Sequence, residues 1–187
     1  MLKKYLALGT LLLSSGLAHA QVVAASTGGR PALYAGGYYS NFNSDFKEPT
    51  IAKTPRLSGA GVFVDWNVFG KLGVEGEARF LRFNQTNDFH SDHYLVGPRY
   101  SIRRGNYRPY VKLLLGAGEL NFPYSLAHGG YFDLAAGGGL DYRLSRRFGL
   151  RGDYEYQFWP TAPGLPGAPS HGLSPNGFSA GISYRIF

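Results

Sequence analysis

The chain contains no cysteine, which excludes a disulfide-stapled scaffold whatever compartment it enters. After its first twenty residues it also lacks any apolar run approaching the roughly 20 residues that a helix needs to cross a bilayer. Acidic residues are in the minority, with 12 Asp and Glu against 19 Lys and Arg. That excess does not mark a nucleic-acid binder, because the arginines alternate with apolar residues and stand near carboxylates instead of forming one concentrated basic stretch. What the chain has in abundance is glycine and aromatic residues: Gly 27, Tyr 14 and Phe 13. These and the aliphatic residues recur at every second position, which excludes disorder and points to strands.

Residues 1–20 read as a cleavable export signal. Lys3 and Lys4 precede an apolar run over 6–13, and Ala18-His19-Ala20 supplies the small residues of a cleavage site. The run is too short to serve as a helical membrane anchor. Residues 21–32 carry no strong pattern and are expected to form a short leader, with the folded domain over 33–187.

Alternation is clearest over 148–158. There Phe148, Leu150, Gly152, Tyr154, Tyr156 and Phe158 point one way, and Arg151, Asp153, Glu155 and Gln157 point the other. A soluble sandwich can show this once; here it recurs in nearly every segment, with charges on each polar face. Val62, Val64 and Trp66 oppose Phe63, Asp65 and Asn67; Val74, Ala78 and Phe80 oppose Glu75, Glu77 and Arg79. Tyr94, Val96, Pro98 and Tyr100 oppose Arg99, Ser101 and Arg103, and Val111, Leu113 and Leu115 oppose Lys112. Phe132, Leu134, Ala136, Leu140 and Tyr142 oppose Asp133, Asp141 and Arg143, while Phe178, Ala180, Ile182, Tyr184 and Ile186 oppose Ser179, Ser183 and Arg185. The segment over 33–42 is so rich in Gly and Tyr that its pattern does not fix its facing.

The expected strands are therefore 33–42, 58–68, 72–83, 94–103, 110–120, 131–144, 148–158 and 177–187. Each is about ten residues long, as a tilted membrane strand requires. Unpaired backbone groups at a sheet edge cannot be left in hydrocarbon, so the sheet must close. The fold predicted is all-β: an eight-stranded antiparallel up-and-down transmembrane β-barrel. Short links around Gly70-Lys71, Arg104-Gly105-Asn106 and Ser145-Arg146-Arg147 are expected to be periplasmic turns. Longer connections at 43–55, 85–92, 121–129 and 160–176 are expected to face outside. Pro98 cannot donate a ladder hydrogen bond and predicts a local bulge. Gly137-Gly138-Gly139 predicts either strong curvature or room for large neighbours. Arg82, on the apolar side near a strand end, is expected to reach the headgroup region.

The strand order and three stretches, Leu95-Val96-Gly97-Pro98-Arg99-Tyr100, Arg108-Pro109-Tyr110-Val111-Lys112 and Gly137-Gly138-Gly139-Leu140-Asp141-Tyr142-Arg143-Leu144, resemble the outer membrane protein β-barrel domain family. This group is related to the barrel portion of outer membrane protein A and to small eight-stranded surface barrels. The resemblance spans essentially the whole chain after the leader and implies residence in the outer membrane of a Gram-negative bacterium. It implies no particular activity. Unlike full outer membrane protein A, the chain stops at its last strand, so no C-terminal peptidoglycan-binding domain is expected. Phe187 is similar to the C-terminal phenylalanine that the barrel assembly machinery reads, although the apolar period of the last strand falls on Tyr184 and Ile186.

The inward faces are expected to carry a charge network of Arg79, Arg99, Arg103, Lys112, Arg143, Arg151 and Arg185 with Asp65, Glu75, Glu77, Asp133, Asp141, Asp153 and Glu155. Buried charges require such partners, and an eight-stranded barrel is narrow enough for side chains to fill. A plugged, non-enzymatic barrel with a structural or surface-contact role is the expectation. The alternative is a narrow, porin-like passive channel for small solutes. A third possibility is acyl transfer on lipids, for which His90, Ser91, Asp92 and His93, with His128, are the candidates if an acidic group orients an imidazole toward a hydroxyl. His90 and His93 lack further ligands, so no metal site is expected, and no cofactor. The expected partners are outer membrane lipids, the assembly machinery and external surfaces met by the loops, with the protein itself a monomer. The last loop, holding Pro160, Pro163, Pro166, Pro169 and Pro175, should resist regular structure.

Overall fold

A computed structural model describes residues 31–43, 56–83, 90–121, 128–160 and 172–187. The expected signal, nearly all of the expected leader and most of the four long connections lie outside the described residues. The eight strands are β1 (Ala32–Asn43), β2 (Arg56–Phe69), β3 (Leu72–Leu81), β4 (His90–Ser101), β5 (Tyr107–Asn121), β6 (His128–Arg143), β7 (Phe148–Phe158) and β8 (Asn176–Arg185). Each pairs antiparallel with the next, and β8 returns to β1, where Tyr39 faces Ala180 and Tyr34 faces Arg185. The barrel is closed, so no strand edge is left unpaired.

The pleat sorts side chains between two environments. Val62, Val64, Val96, Val111, Leu113, Leu115, Leu150 and Ile182 point outward and are exposed on the isolated chain, whereas Asp65, Glu75, Arg79, Asp133 and Glu155 are wholly buried. An apolar outside and an ionic inside invert the arrangement of a soluble protein, and hydrocarbon as the outer solvent explains it. Paired aromatics border the band. Tyr107 with Tyr142 (5.0 Å between ring centroids) and Phe148 with Tyr184 (5.2 Å) stand at the end bearing the short turns. Phe80 with Tyr94 (6.1 Å) and Tyr39 with Phe83 (6.3 Å) stand at the other. Such girdles occupy the two interfaces of a bilayer. Outer-membrane barrels carry their short turns on the periplasmic side, which sets the direction of this one.

The turns follow from local chemistry. Gly70 and Gly105 adopt φ of 60° and 62°, a left-handed conformation that side-chain-bearing residues resist. In the third turn the Ser145 hydroxyl accepts hydrogen bonds from the backbone N–H groups of Arg147 (3.3 Å) and Phe148 (3.0 Å).

Several expectations are corrected. Pro98 does not create a bulge: it pairs with Val74, and the β4–β5 register is the same at Val96–Leu115 and Arg99–Lys112 on either side of it. Its missing N–H removes a rung without inserting a residue. The one register shift in β2–β3 falls between Asn67 and Phe69, next to the Gly70 turn. β4 begins at His90, so His90, Ser91, Asp92 and His93 belong to a strand and not to a loop. β8 ends at Arg185, and beyond it the alternation breaks, leaving Ile186 and Phe187 both about half exposed. β1, whose facing the sequence left open, turns Tyr38, Ser40 and Phe42 inward and Tyr39 outward.

Candidate functional site: the lumen and its two ends

From the periplasmic side, the first ionic tier gathers around Asp65 (β2), Glu75 (β3) and Asp141 (β6). Arg99 on β4 contacts all three, with Nη1 donating to Glu75 Oε2 at 2.9 Å and to Asp65. Arg151 on β7 donates to Asp141 Oδ1 at 2.9 Å and to Glu75 Oε2 at 3.0 Å. Arg108 on β5 completes the tier, reaching Asp141 at 2.8 Å and Asp65 at 3.0 Å. Planar guanidinium groups suit this crowding because each offers several donors in one plane and a flat face to an aromatic ring. Arg99 lies 3.6 Å from the Tyr110 ring centroid and Arg151 lies 3.6 Å from that of Phe63.

The second tier centres on Lys112. Its Nζ is within 3.0 Å of Glu77 and of Glu155, 3.2 Å of Glu75 and 3.3 Å of Asp153. Arg79 caps the same carboxylates, at 2.7 Å to Glu155 and 2.9 Å to Glu77, and stacks 4.4 Å from the Phe42 ring. The glycines of β6 make this tier possible. A Cβ at Gly139 would stand 2.6 Å from the Asp153 Cβ and 2.8 Å from the Tyr110 hydroxyl; one at Gly137 would stand 3.1 Å from the Lys112 Cε. The glycine run is therefore where bulk has been removed to admit neighbours.

Above these two tiers lies a hydrogen-bonded relay. Ser91 Oγ is 3.0 Å from His93 Nε2, and His93 Nδ1 is 2.8 Å from Asp133 Oδ2. Ser91 Oγ also meets the Tyr131 hydroxyl at 2.9 Å and the Glu119 carbonyl at 3.2 Å. Beside it, Trp159 Nε1 donates to Gln157 Oε1 at 3.1 Å and Gln157 Nε2 donates to Glu155 Oε1 at 2.7 Å, tying Trp159, whose ring lies 5.1 Å from that of His93, to the second tier. The outer end closes with buried Phe42, Leu57, Leu81, Tyr131 and Trp159, where the Trp159 and Tyr131 rings are 4.5 Å apart.

Asp65, Glu75, Glu77, Arg79, Arg99, Lys112, Asp141, Arg151, Asp153 and Glu155 are thus joined in one network. Asp133 stands apart from it, as the partner of His93. Arg103, Arg143 and Arg185 also stand apart: they lie at the turn end of the barrel, where Arg143 meets Asn106 at 2.9 Å and Arg185 meets the backbone oxygen of Phe187 at 3.1 Å. The strand pleat gives them the inward parity, but they sit beyond the last buried carboxylate. Sequence reasoning missed Arg108, which precedes the expected strand 110–120, and Tyr110, the first residue of that strand. Extending the alternation backward from Lys112 finds both. It missed the inward facing of Ser91 and His93, whose parity matches Leu95 and Arg99. Asp92 faces away and accepts from Arg82 on the outer wall at 2.9 Å, so Arg82 is held by the neighbouring strand β4. His128 opens β6. Among the described residues no cluster of three metal-ligating side chains occurs.

The model for the outer membrane protein beta-barrel domain matches residues 10–185. The chain belongs to that family. It is an outer-membrane barrel of a Gram-negative bacterium, in contact with outer membrane lipids. Solved structures share the fold. Neisserial surface protein A is 12% identical with a TM-score of 0.59, over 82% of this chain and 96% of that one. OprG from Pseudomonas aeruginosa is 15% identical with a TM-score of 0.58, over 83% and 95%. The attachment invasion locus protein Ail of Yersinia pestis, solved with the heparin analogue sucrose octasulfate, is 17% identical with a TM-score of 0.50, over 83% and 97%. No curated protein sequence matches the chain.

Proposed function

We propose that this barrel is a non-enzymatic structural and surface-contact protein whose lumen is plugged by its own side chains. The observation that carries the proposal is the unbroken succession across the lumen: an arginine tier, the Lys112 hub, the His93 relay and the Trp159 cap. Charged groups packed against one another at this depth leave no wide path for solute. With the interior committed to packing, the external connections are the parts left to meet other surfaces, and the name of Ail gives that role a precedent on the same fold. The protein acts as a monomer, and Phe187 serves as the signal read by the assembly machinery. Planar-bilayer recording on the refolded protein tests the proposal: a silent membrane supports it, and repeated discrete openings favour a narrow passive channel.

The Ser91–His93–Asp133 relay favours a second reading, acyl transfer on lipids, because the carboxylate orients the imidazole and the imidazole reaches the hydroxyl. Against it, all three side chains are fully buried and the Ser91 hydroxyl is already engaged by Tyr131 and the Glu119 carbonyl. Incubation with labelled lipopolysaccharide and phospholipid separates the two. Product that disappears in His93→Ala would establish the enzyme.

A further inference from the structure

The two ends of the barrel differ in a way that goes beyond a plugged scaffold. The outer end is closed by apolar rings. The periplasmic end opens into a cavity of about 290 Å³ whose lining includes Lys71, Arg103, Arg143, Arg146, Arg147 and Arg185. The segments that form this mouth, 69–72, 102–107, 143–148 and 185–187, contain seven basic residues and no acidic side chain. They come from three different turns and the end of β8, so the concentration exists only after the barrel closes.

These cations are not committed to holding the fold. Every acidic side chain of the first tier is taken by Arg99, Arg108 and Arg151. Among the described residues no Asp or Glu side chain pairs with any of the six lining cations. Arg143 and Arg147 meet only neutral groups, Asn106 and the Tyr184 hydroxyl, and Arg185 donates to the backbone oxygen of Phe187. Like charges crowded around a concave mouth repel one another and raise the local potential. Such a site attracts an anion, and arginine forks match phosphate oxygens in particular. Asp141 at the floor of the cavity carries no free charge to oppose it, since three arginines hold it.

We infer that the periplasmic mouth is a binding site for an oxyanion of the phosphate class, approached from the periplasmic side. Two sources share this chemistry, a soluble periplasmic anion and the headgroup of an anionic phospholipid in the inner leaflet.

The test uses the full chain, refolded in non-ionic maltoside micelles, with inorganic tripolyphosphate as the probe and calorimetry as the readout. Saturable binding near one site per barrel is expected. Arg146→Gln/Arg147→Gln should weaken it by at least about tenfold, as loss of charge-assisted contacts predicts. Arg56→Gln, an exposed substitution at the opposite end, should leave it unchanged. Both variants lie on exposed residues, and their unfolding midpoints check that the barrel is intact. Repeating the titration in nanodiscs of phosphatidylcholine with and without phosphatidylglycerol identifies the source. Competition by phosphatidylglycerol that vanishes in the double variant supports a lipid headgroup, and its absence supports a soluble ligand. Unsaturable uptake, or equal affinity in parent and double variant, would overturn the inference.

Discussion

Lys112→Met removes the hub of the second tier, and the contacts say which partner suffers. Glu77 and Glu155 keep Arg79, and Glu75 keeps Arg99 and Arg151. Asp153 loses its only cation among the described residues and is left with the Tyr110 hydroxyl at 2.8 Å. Stripping one partner from a buried pair costs ~3–5 kcal/mol, and the retained arginines place this variant near the lower end, about 3 kcal/mol. Because the cost resides in one orphaned carboxylate, Lys112→Met/Asp153→Asn should return to within about 1 kcal/mol of the parent. Asp153→Asn alone should cost about 1 kcal/mol or less, since Lys112 retains three carboxylates. Guanidinium unfolding in vesicles, followed by the fluorescence of Trp66 and Trp159, measures all four proteins. The reasoning fails if Lys112→Met matches the parent within about 0.5 kcal/mol, because a lysine so easily dismissed is solvated by an open lumen.

The glycine run and the cap give further outcomes. Gly139→Ala drives a Cβ to 2.4 Å from the Gly152 carbonyl and should destabilise by ~1–3 kcal/mol. Gly152→Ala has nothing within 4 Å of its new Cβ and should unfold at nearly the parental guanidinium concentration. Trp159→Ala empties the centre of the outer cap and should cost ~3–5 kcal/mol. It should nevertheless open no channel in a planar bilayer, because the Arg79 and Lys112 tier lies beneath it.

Architecture was legible because a strand writes its two faces into alternate letters. The parity of 148–158 alone places Arg151, Asp153, Glu155 and Gln157 inside. Two things resisted. Strand ends made of polar residues look like loops, which hid Arg108 and the Ser91–His93 relay until pairing carried β4 back to His90 and β5 back to Tyr107. Position along the barrel axis is also absent from a one-dimensional pattern. Arg103, Arg143 and Arg185 share inward parity with Arg99 and Arg151, yet they lie outside the buried tiers and crowd the periplasmic mouth. The spread of basic residues along the chain disguised that crowding, which arises from three separate turns meeting on one rim.

Two neighbouring residues of β1 offer the sharpest measurement of an inverted, filled barrel. Tyr39 faces outward at 51% exposure and Ser40 is wholly buried against Ser179 at 2.8 Å. Since no native thiol interferes, Tyr39→Cys and Ser40→Cys can each be labelled in lipid vesicles. The cysteine at 39 should react with a lipid-soluble maleimide, and the one at 40 should resist both that reagent and a water-soluble methanethiosulfonate until the barrel is unfolded. Rapid modification of the thiol at 40 by the water-soluble reagent in the folded protein would contradict the packed interior.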